Sequence, residues 1–369
     1  MAAATFAFAA GTLSAVPLAA RAQPGQSIDL GLGASSRYDD NVLQYSSDQL
    51  RVFASGLKPD RFSIQSSDDL LMGPFASLTW RNVMGTGRSR SLRLKWNGEF
   101  HKKNGTADFR TYSATWREAF SKDRQLTLYG DWLPSFYLRQ LFDEDVAVAF
   151  PGLSKYRRVE FDLGMGSLSW RQRIARKARC EITYRYEHRS YNPDFMERTS
   201  RTHQGELGVE FFRLPRRGSL EFTGGYRVSK AKAADSDTVG DDPDVSYHGV
   251  IAGLGWRMDL MRKRAWRLGA SAGYGLGTRA YDSNLPADRY HYKRDDTSNT
   301  VDVGLRWALP PHWAVRGVYR FDHNSARLGT QAPPSSDTGS YTENTVGLAV
   351  DWSGALWRKV KAAPGTEEE

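Results

Sequence analysis

Apolar and polar residues alternate along most of this chain with a period of two. Ile28, Leu30 and Leu32 fall on one side of an extended backbone, and the polar or small residues between them fall on the other. The same alternation recurs at 266–276 and 301–307. A period of two is typical of β-strands that have one apolar face.

This pattern predicts about fourteen antiparallel strands. They lie near 27–38, 69–82, 89–102, 108–120, 124–138, 157–172, 178–190, 201–213, 218–229, 245–259, 264–279, 297–309, 312–323 and 341–353. Most are longer than the five or six residues that are common in globular proteins. A tilted strand that crosses a bilayer needs about 9–11 residues within the hydrocarbon, with extensions at both ends.

The predicted connections alternate between short and long. The short ones are 84–88, 121–123, 175–177, 215–217, 262–263 and 310–311. The long ones are 39–68, 139–156, 191–200, 230–244, 280–296 and 324–340, with a modest one at 103–107. Short turns on one rim and long loops on the other are typical of an outer-membrane barrel. We therefore predict an all-β, transmembrane, antiparallel up-and-down β-barrel in the cell outer membrane, with both termini on the periplasmic rim. A β-sandwich would use shorter strands, and a propeller would show a repeat of about 40 residues.

The two ends of the chain differ from the middle in composition. Residues 1–22 are predicted to be a signal peptide, because an Ala-rich apolar stretch ends in Ala20-Arg21-Ala22 before Gln23. Residues 23–357 are predicted to form the barrel. The charged segment 358–369 is predicted to be a disordered periplasmic tail.

Composition agrees with a membrane barrel. Hydrophobic residues make up 40% of the chain, and its mean hydropathy is −0.57. After the N-terminal segment no run of 18 apolar residues occurs, which excludes helical membrane spans. Aromatic residues concentrate at predicted strand ends, where amphipathic rings form membrane girdles. The predicted girdle residues are Trp80, Trp116, Trp256, Trp266, Trp307, Trp313 and Trp352.

The net charge of +9 raises nucleic acid as a partner, but the basic residues are dispersed among acidic ones. We therefore expect no nucleic-acid binding. The single cysteine, Cys180, excludes an internal disulfide and a zinc cluster, and the sequence contains no metal or cofactor motif. The acidic segment 235–244 could hold a divalent cation, but a solvated surface loop is the simpler interpretation.

The strand phase predicts which charged side chains line the barrel lumen. The basic ones are Arg93, Lys95, Arg117, Arg185, Arg227, Arg267, Arg306, Arg316 and Arg320. The acidic ones are Glu99, Glu181, Glu187, Glu206, Glu221, Asp302 and Asp351. Rings of Arg and Lys select anions in pores, whereas matched ion pairs would brace the wall. The sequence leaves both interpretations open.

One constellation could support hydrolysis. His323 and Ser325 share a strand face, and Glu343 begins the next strand, so a hydrolase-like triad is possible on spacing alone. An ordinary polar strand end is the alternative, and we expect no enzymatic activity.

Short motifs near the strand ends carry a family resemblance. They are RYDDNV at 37–42, RDD at 294–296, VGLRW at 303–307, YRFDHNS at 319–325 and NTVGLAVDW at 344–352. Together they resemble the barrel of the surface lipoprotein assembly modifier family and related outer-membrane barrels of exopolysaccharide export loci. The resemblance implies insertion by the barrel assembly machinery and work alongside periplasmic export components.

The sequence thus predicts a transport or export conduit for a polar or anionic solute such as a polysaccharide. A translocon or assembly factor for surface lipoproteins and an outer-membrane lipid hydrolase are the alternatives. Outer-membrane lipid and lipopolysaccharide are the expected surroundings, since arginines near the rims can meet phosphates.

Overall fold

The strands close into a single ring. The computed structural model describes residues 25–85, 87–142, 154–235, 244–263, 266–284, 291–328 and 339–360. Every strand pairs antiparallel with its sequence neighbours, and the first strand pairs with the last to close the barrel. This confirms the predicted fold class and the number of strands. Among the described residues, no helix is both long and apolar enough to cross a membrane.

The strands have the following bounds. They are β1 Gly25–Asp39, β2 Asp69–Val83, β3 Ser89–His101, β4 Phe109–Ala119, β5 Arg124–Phe142, β6 Tyr156–Ala175, β7 Ala178–Tyr191, β8 Ser200–Leu214, β9 Gly218–Ala231, β10 Tyr247–Lys263, β11 Trp266–Tyr281, β12 Asp295–Leu309, β13 Trp313–Arg327 and β14 Tyr341–Val360. One α-helix, α1, spans Ser47–Ala54.

Closure depends on the pairing of β1 with β14. The register runs from Gly25 opposite Val360 to Asp39 opposite Thr345, with one irregularity after Ile28. In hydrocarbon every unpaired backbone N–H or C=O costs several kcal/mol, roughly, so an open sheet edge is not tolerated. A closed ring pairs both edges and removes that cost.

Several strands extend further than the alternation predicts. The strand β5 continues to Phe142, because bulges after Leu133 and Tyr137 break the period without ending the pairing with β6. The strand β14 continues to Val360, so the barrel extends beyond residue 357 into the predicted tail. The predicted signal peptide, the rest of the tail and most of the acidic segment 235–244 lie outside the described residues.

The long connection after β1 is folded rather than extended. Its helix α1 begins with a capping box, in which the Ser46 hydroxyl accepts from the Gln49 backbone and the Gln49 side chain accepts from the Ser46 backbone. Leu43, Tyr45 and Ile64 form a small core that includes Tyr137 of β5. This connection therefore packs against the wall at the long-loop end of the barrel.

The outer surface carries aromatic residues at two heights. The seven predicted girdle tryptophans all lie toward the short-turn end, where Trp80 and Trp116 stack at 6.1 Å and Trp313 pairs with Trp352. Toward the long-loop end, exposed tyrosines donate to polar neighbours. Examples are Tyr274 to Asn299 at 2.7 Å and Tyr319 to Asn344 at 2.9 Å. These tyrosines were not among the predicted girdle residues, although they have the same strand phase as the tryptophans.

Candidate functional site: the inner face of the barrel

Charged side chains on the inner face pair across and along neighbouring strands. Arg316 of β13 lies 2.8 Å from Asp351 of β14, and Arg185 of β7 lies 3.7 Å from Glu206 of β8. Because alternate residues share a face, these contacts fix the phase of their strands. Arg320 lies 3.9 Å from Asp302, so these three pairs join residues that the sequence groups together.

The other predicted acidic residues pair with arginines that sequence analysis left out. Glu221 pairs with Arg257 at 2.9 Å, and Glu187 pairs with Arg189 at 3.4 Å. Further pairs of this kind are Glu99 with Arg37 and Glu181 with Arg171. The predicted Arg267 pairs with Asp259, an acidic residue that was not predicted. The missed partners have the same strand phase as the predicted ones, so the alternation alone could have found them. Paired charges of this kind brace the wall.

Four predicted basic residues differ from these pairs. Arg93, Lys95, Arg117 and Arg306 have no carboxylate within 4.0 Å in the part of the chain that the structure describes. Arg93 donates to the Ser77 hydroxyl at 3.4 Å, and Lys95 lies 5.0 Å above the ring of Phe75. These contacts orient the side chains but leave their charge unneutralised.

These four cations form one electropositive surface with Arg316. The charges that act on Arg93 are those of Arg117, Arg81, Arg316 and Asp351. Those that act on Arg306 are Arg316, Asp351 and Arg267. We call Arg93, Lys95, Arg117, Arg306 and Arg316 the cationic face. Because cations outnumber carboxylates there, the cationic face attracts anions. Several like charges on a low-dielectric wall concentrate their electric field in the adjacent water.

The predicted Arg227 has a different environment. Its side chain is buried, its Nη2 donates to the Thr278 carbonyl oxygen at 3.2 Å, and its guanidinium lies 5.5 Å from the ring centre of Tyr247. The guanidinium of Arg279 lies 5.4 Å from the centre of the same ring. Arg227 is therefore packed into the wall near the long-loop end, away from the cationic face.

The candidate hydrolase triad is not assembled. His323 pairs with Thr342, and its Nδ1 lies 3.3 Å from the Thr342 hydroxyl. Glu343 pairs with Asp322 instead, and its carboxylate accepts from Gln44 at 2.8 Å. Because neighbouring residues of a strand point to opposite faces, Glu343 lies on the inner face while His323 and Ser325 lie on the outer face. The predicted triad was wrong because spacing along one strand does not give the register between β13 and β14.

Comparison with known proteins places the chain within a broad class. Residues 190–353 match the family described as outer membrane protein beta-barrel domain. No curated protein matches the chain. These residues run from the end of β7 to β14, so the match covers the second half of the ring.

Several solved structures have a similar outline. A bacterial polysaccharide outer membrane secretin aligns with 90% of this chain and 99% of its own, at 9% identity and a TM-score of 0.45. A loop L8 deletion mutant of OmpT, an outer membrane protein of Vibrio cholerae, aligns with 89% of this chain and 99% of its own, at 8% identity and a TM-score of 0.43. An anion-selective porin from Comamonas acidovorans aligns over the same shares, at 9% identity and a TM-score of 0.41. Likenesses this distant carry no information on solute or activity.

The strand pairing and the matched domain together define an outer-membrane β-barrel. Such a fold implies a location in the outer membrane. The orientation of the termini stays a prediction. The narrower resemblance to surface lipoprotein assembly modifiers is also unconfirmed, because the match is to the general barrel domain.

Proposed function

We propose that the protein is an outer-membrane conduit that favours anionic solutes. The observation that carries this proposal is the cationic face. Paired charges elsewhere on the wall cancel, but Arg93, Lys95, Arg117 and Arg306 lack carboxylate partners among the described residues. Uncompensated cations along a water-filled path lower the energy of an anion there and raise that of a cation.

The test is ion selectivity in a planar bilayer. Purified protein is inserted, and the reversal potential is measured across a KCl gradient. The expected result is an open or voltage-gated current with a preference for chloride. Arg117→Gln should lower that preference by about twofold, because a unit charge a few Å away in water is worth about 1 kcal/mol before screening by salt.

Arg110→Gln is a matched control, because Arg110 is an exposed arginine on the same strand. The two arginines are seven positions apart, an odd offset, so Arg110 lies on the outer face. Its loss should leave selectivity unchanged. Absence of any current across the voltage range, or an equal effect of the two variants, would overturn the proposal.

A further inference from the structure

Side chains from opposite walls meet at the long-loop end of the barrel. A cavity of about 100 Å³ there is lined by Arg139 of β5 and by Asp296 of β12, among others. In the closed ring of fourteen strands, β5 and β12 stand directly across from each other. Opposite walls of the barrel therefore line one cavity at this height, which we call the arginine pocket.

The lining of the arginine pocket is strongly cationic. Its arginines come from five separate segments and are Arg61, Arg139, Arg198, Arg279 and Arg294. Within the described chain, Asp296 is the acidic residue of the lining, and it is held by Arg294, whose Nη2 donates to its Oδ2 at 3.0 Å. Glu343, outside the lining, accepts a hydrogen bond from Gln44 of the lining at 2.8 Å. Arg198 also lies 3.7 Å from Glu197, and the five arginines of the lining still outnumber these carboxylates.

Arg139 brings a buried guanidinium to the lining of the arginine pocket. Only 6% of the residue is exposed, and its Nη2 donates to the Leu43 carbonyl oxygen at 2.7 Å. Its guanidinium lies 5.2 Å from the ring centre of Tyr45, while its Nε has no hydrogen-bond partner among the described atoms. A buried charged donor without a partner is costly, and an anion that accepts from it removes that cost.

Arg279 supplies a second ordered guanidinium. The residue is 8% exposed and lies 5.4 Å from the ring centre of Tyr247, which fixes its plane. Planar guanidinium groups bind carboxylate, phosphate and sulphate oxygens through paired N–H donors. The cavity has room for such a group beside the two guanidinium groups.

We propose that the arginine pocket binds a single oxyanion group, carried by the solute that the conduit passes. This inference rests on the proposed function, because it takes the bound solute to be the one that the conduit transports. The group is a phosphate, a sulphate or a carboxylate, held between Arg139 and Arg279. The pocket then acts as a selectivity site at the entrance on the long-loop side.

Binding is tested by calorimetric titration of the detergent-solubilised protein at low salt. Inorganic phosphate and glucuronate are the two probes, and they distinguish a free ion from a carboxylate borne on a sugar. Saturable binding of either probe is expected. Arg279→Gln should weaken it by about tenfold or more, since a charge-assisted hydrogen bond is worth about 1.5–3 kcal/mol. Arg279→Lys should weaken it less, because the charge remains while the fork is lost.

Arg139→Gln is the second variant, and Arg110→Gln is the matched control. Arg110 is an exposed arginine on the outer face and does not line the arginine pocket, so its loss should leave binding unchanged. Heat-modifiable mobility on a gel checks that each variant folds. If Arg139→Gln fails to fold because the Leu43 contact is lost, the effect of Arg279→Gln on binding still tests the site. No binding by the wild type, or equal weakening by Arg110→Gln, would overturn the site.

The two proposals fail in different ways. Phosphate or glucuronate binding without any bilayer current would reject the conduit and leave the site. A selective current without binding of either probe would reject the site and leave the conduit.

Discussion

Arg316 of β13 and Asp351 of β14 form an ion pair on the inner face, with 2.8 Å between Nη2 and Oδ2. Asp351 is also the carboxylate that acts on Arg93 and Arg306. Asp351 therefore offsets part of the positive charge of the cationic face, while Asp131 acts on Lys95 and Glu181 acts on Arg117. A substitution at Asp351 should therefore change the net charge of the cationic face.

Removing this carboxylate should make the conduit more anion-selective. Asp351→Asn is expected to raise the chloride preference by about twofold, and Arg316→Gln is expected to lower it by a similar factor, because each changes one unit charge beside the path. Reversal potentials in a KCl gradient measure both. Shifts of the same sign for the two variants would contradict this charge assignment.

The two faces of the wall should respond differently to polar residues. Leu305 and Val318 are similarly exposed, at 51% and 47%, and lie at the same height, because Leu305 pairs with Gly317 and Val318 pairs with Gly304. Leu305 faces outward, and Val318 shares the inner face with Arg316.

Leu305→Gln should therefore lower the free energy of unfolding by about 1–3 kcal/mol, since an amide is placed in hydrocarbon. Val318→Gln should change it by less than about 0.5 kcal/mol, as expected for a side chain in water. Urea unfolding in lipid vesicles, followed by tryptophan fluorescence, gives both values. Equal costs would argue that Leu305 does not face lipid.

Gly249 has no room for a side chain. A Cβ built there would lie 1.9 Å from the Thr278 carbonyl oxygen on β11. Gly249→Ala should force the β10–β11 pairing apart and cost about 1–3 kcal/mol, as overpacking does. Gly164→Ala is the control, because its added Cβ would meet no heavy atom within 4 Å. Unfolding midpoints in urea compare the two, and a larger loss for Gly164→Ala would refute the steric explanation.

The loop before β2 should be sensitive to strong acid. Asp68 accepts from the Ser66 hydroxyl, from Lys103 at 3.2 Å and from Tyr38 at 3.0 Å, and these contacts lower its pKa from 3.8 to about 2. Because the pKa is lower in the folded protein, the stabilisation is full above pH 3.8. It is lost as the pH falls through about 2.

Digestion of the loop by pepsin between pH 4 and pH 2, roughly the interval that linkage defines, measures this effect. The wild-type loop is expected to become more cleavable as the pH falls. Asp68→Asn should flatten that dependence, and Asp60→Asn, which changes an exposed carboxylate of the same loop, should preserve it. A pH profile that Asp68→Asn leaves unchanged would show that Asp68 does not carry the acid sensitivity.

The fold was predictable because one local signal repeats in every strand. In lipid, every backbone hydrogen-bonding group must be paired. A chain that alternates apolar with polar residues meets this requirement by forming a closed antiparallel barrel. The predicted strand limits failed where bulges interrupt the period, as after Leu133, and where pairing continues past the alternation, as in β14. The helix α1 was missed although Ser46 and Gln49 have the spacing of a capping box.

The partners of charged residues were less predictable. The alternation along a strand predicts which side chains share a face. The ion-pair partner of a side chain depends on the register between strands and on which strands are neighbours in the ring. Arg37 of β1 reaches Glu99 of β3 across the intervening strand, and the Nη1 to Oε1 distance is 3.3 Å. Glu343 falls opposite Asp322 rather than His323, which separates the candidate triad. Neither relationship is encoded by spacing along the chain.

The sequence by itself determined the strands, their number and the two faces of each, because period-two alternation is a property of the extended backbone. Only the tertiary structure decided which charges are neutralised and which side chains of opposite walls line one cavity. Arg139 and Asp296 lie on opposite walls and far apart in the chain, and they line one cavity only because the ring is closed. Closure fixes the distance between strands that never pair, and no local pattern can carry that information.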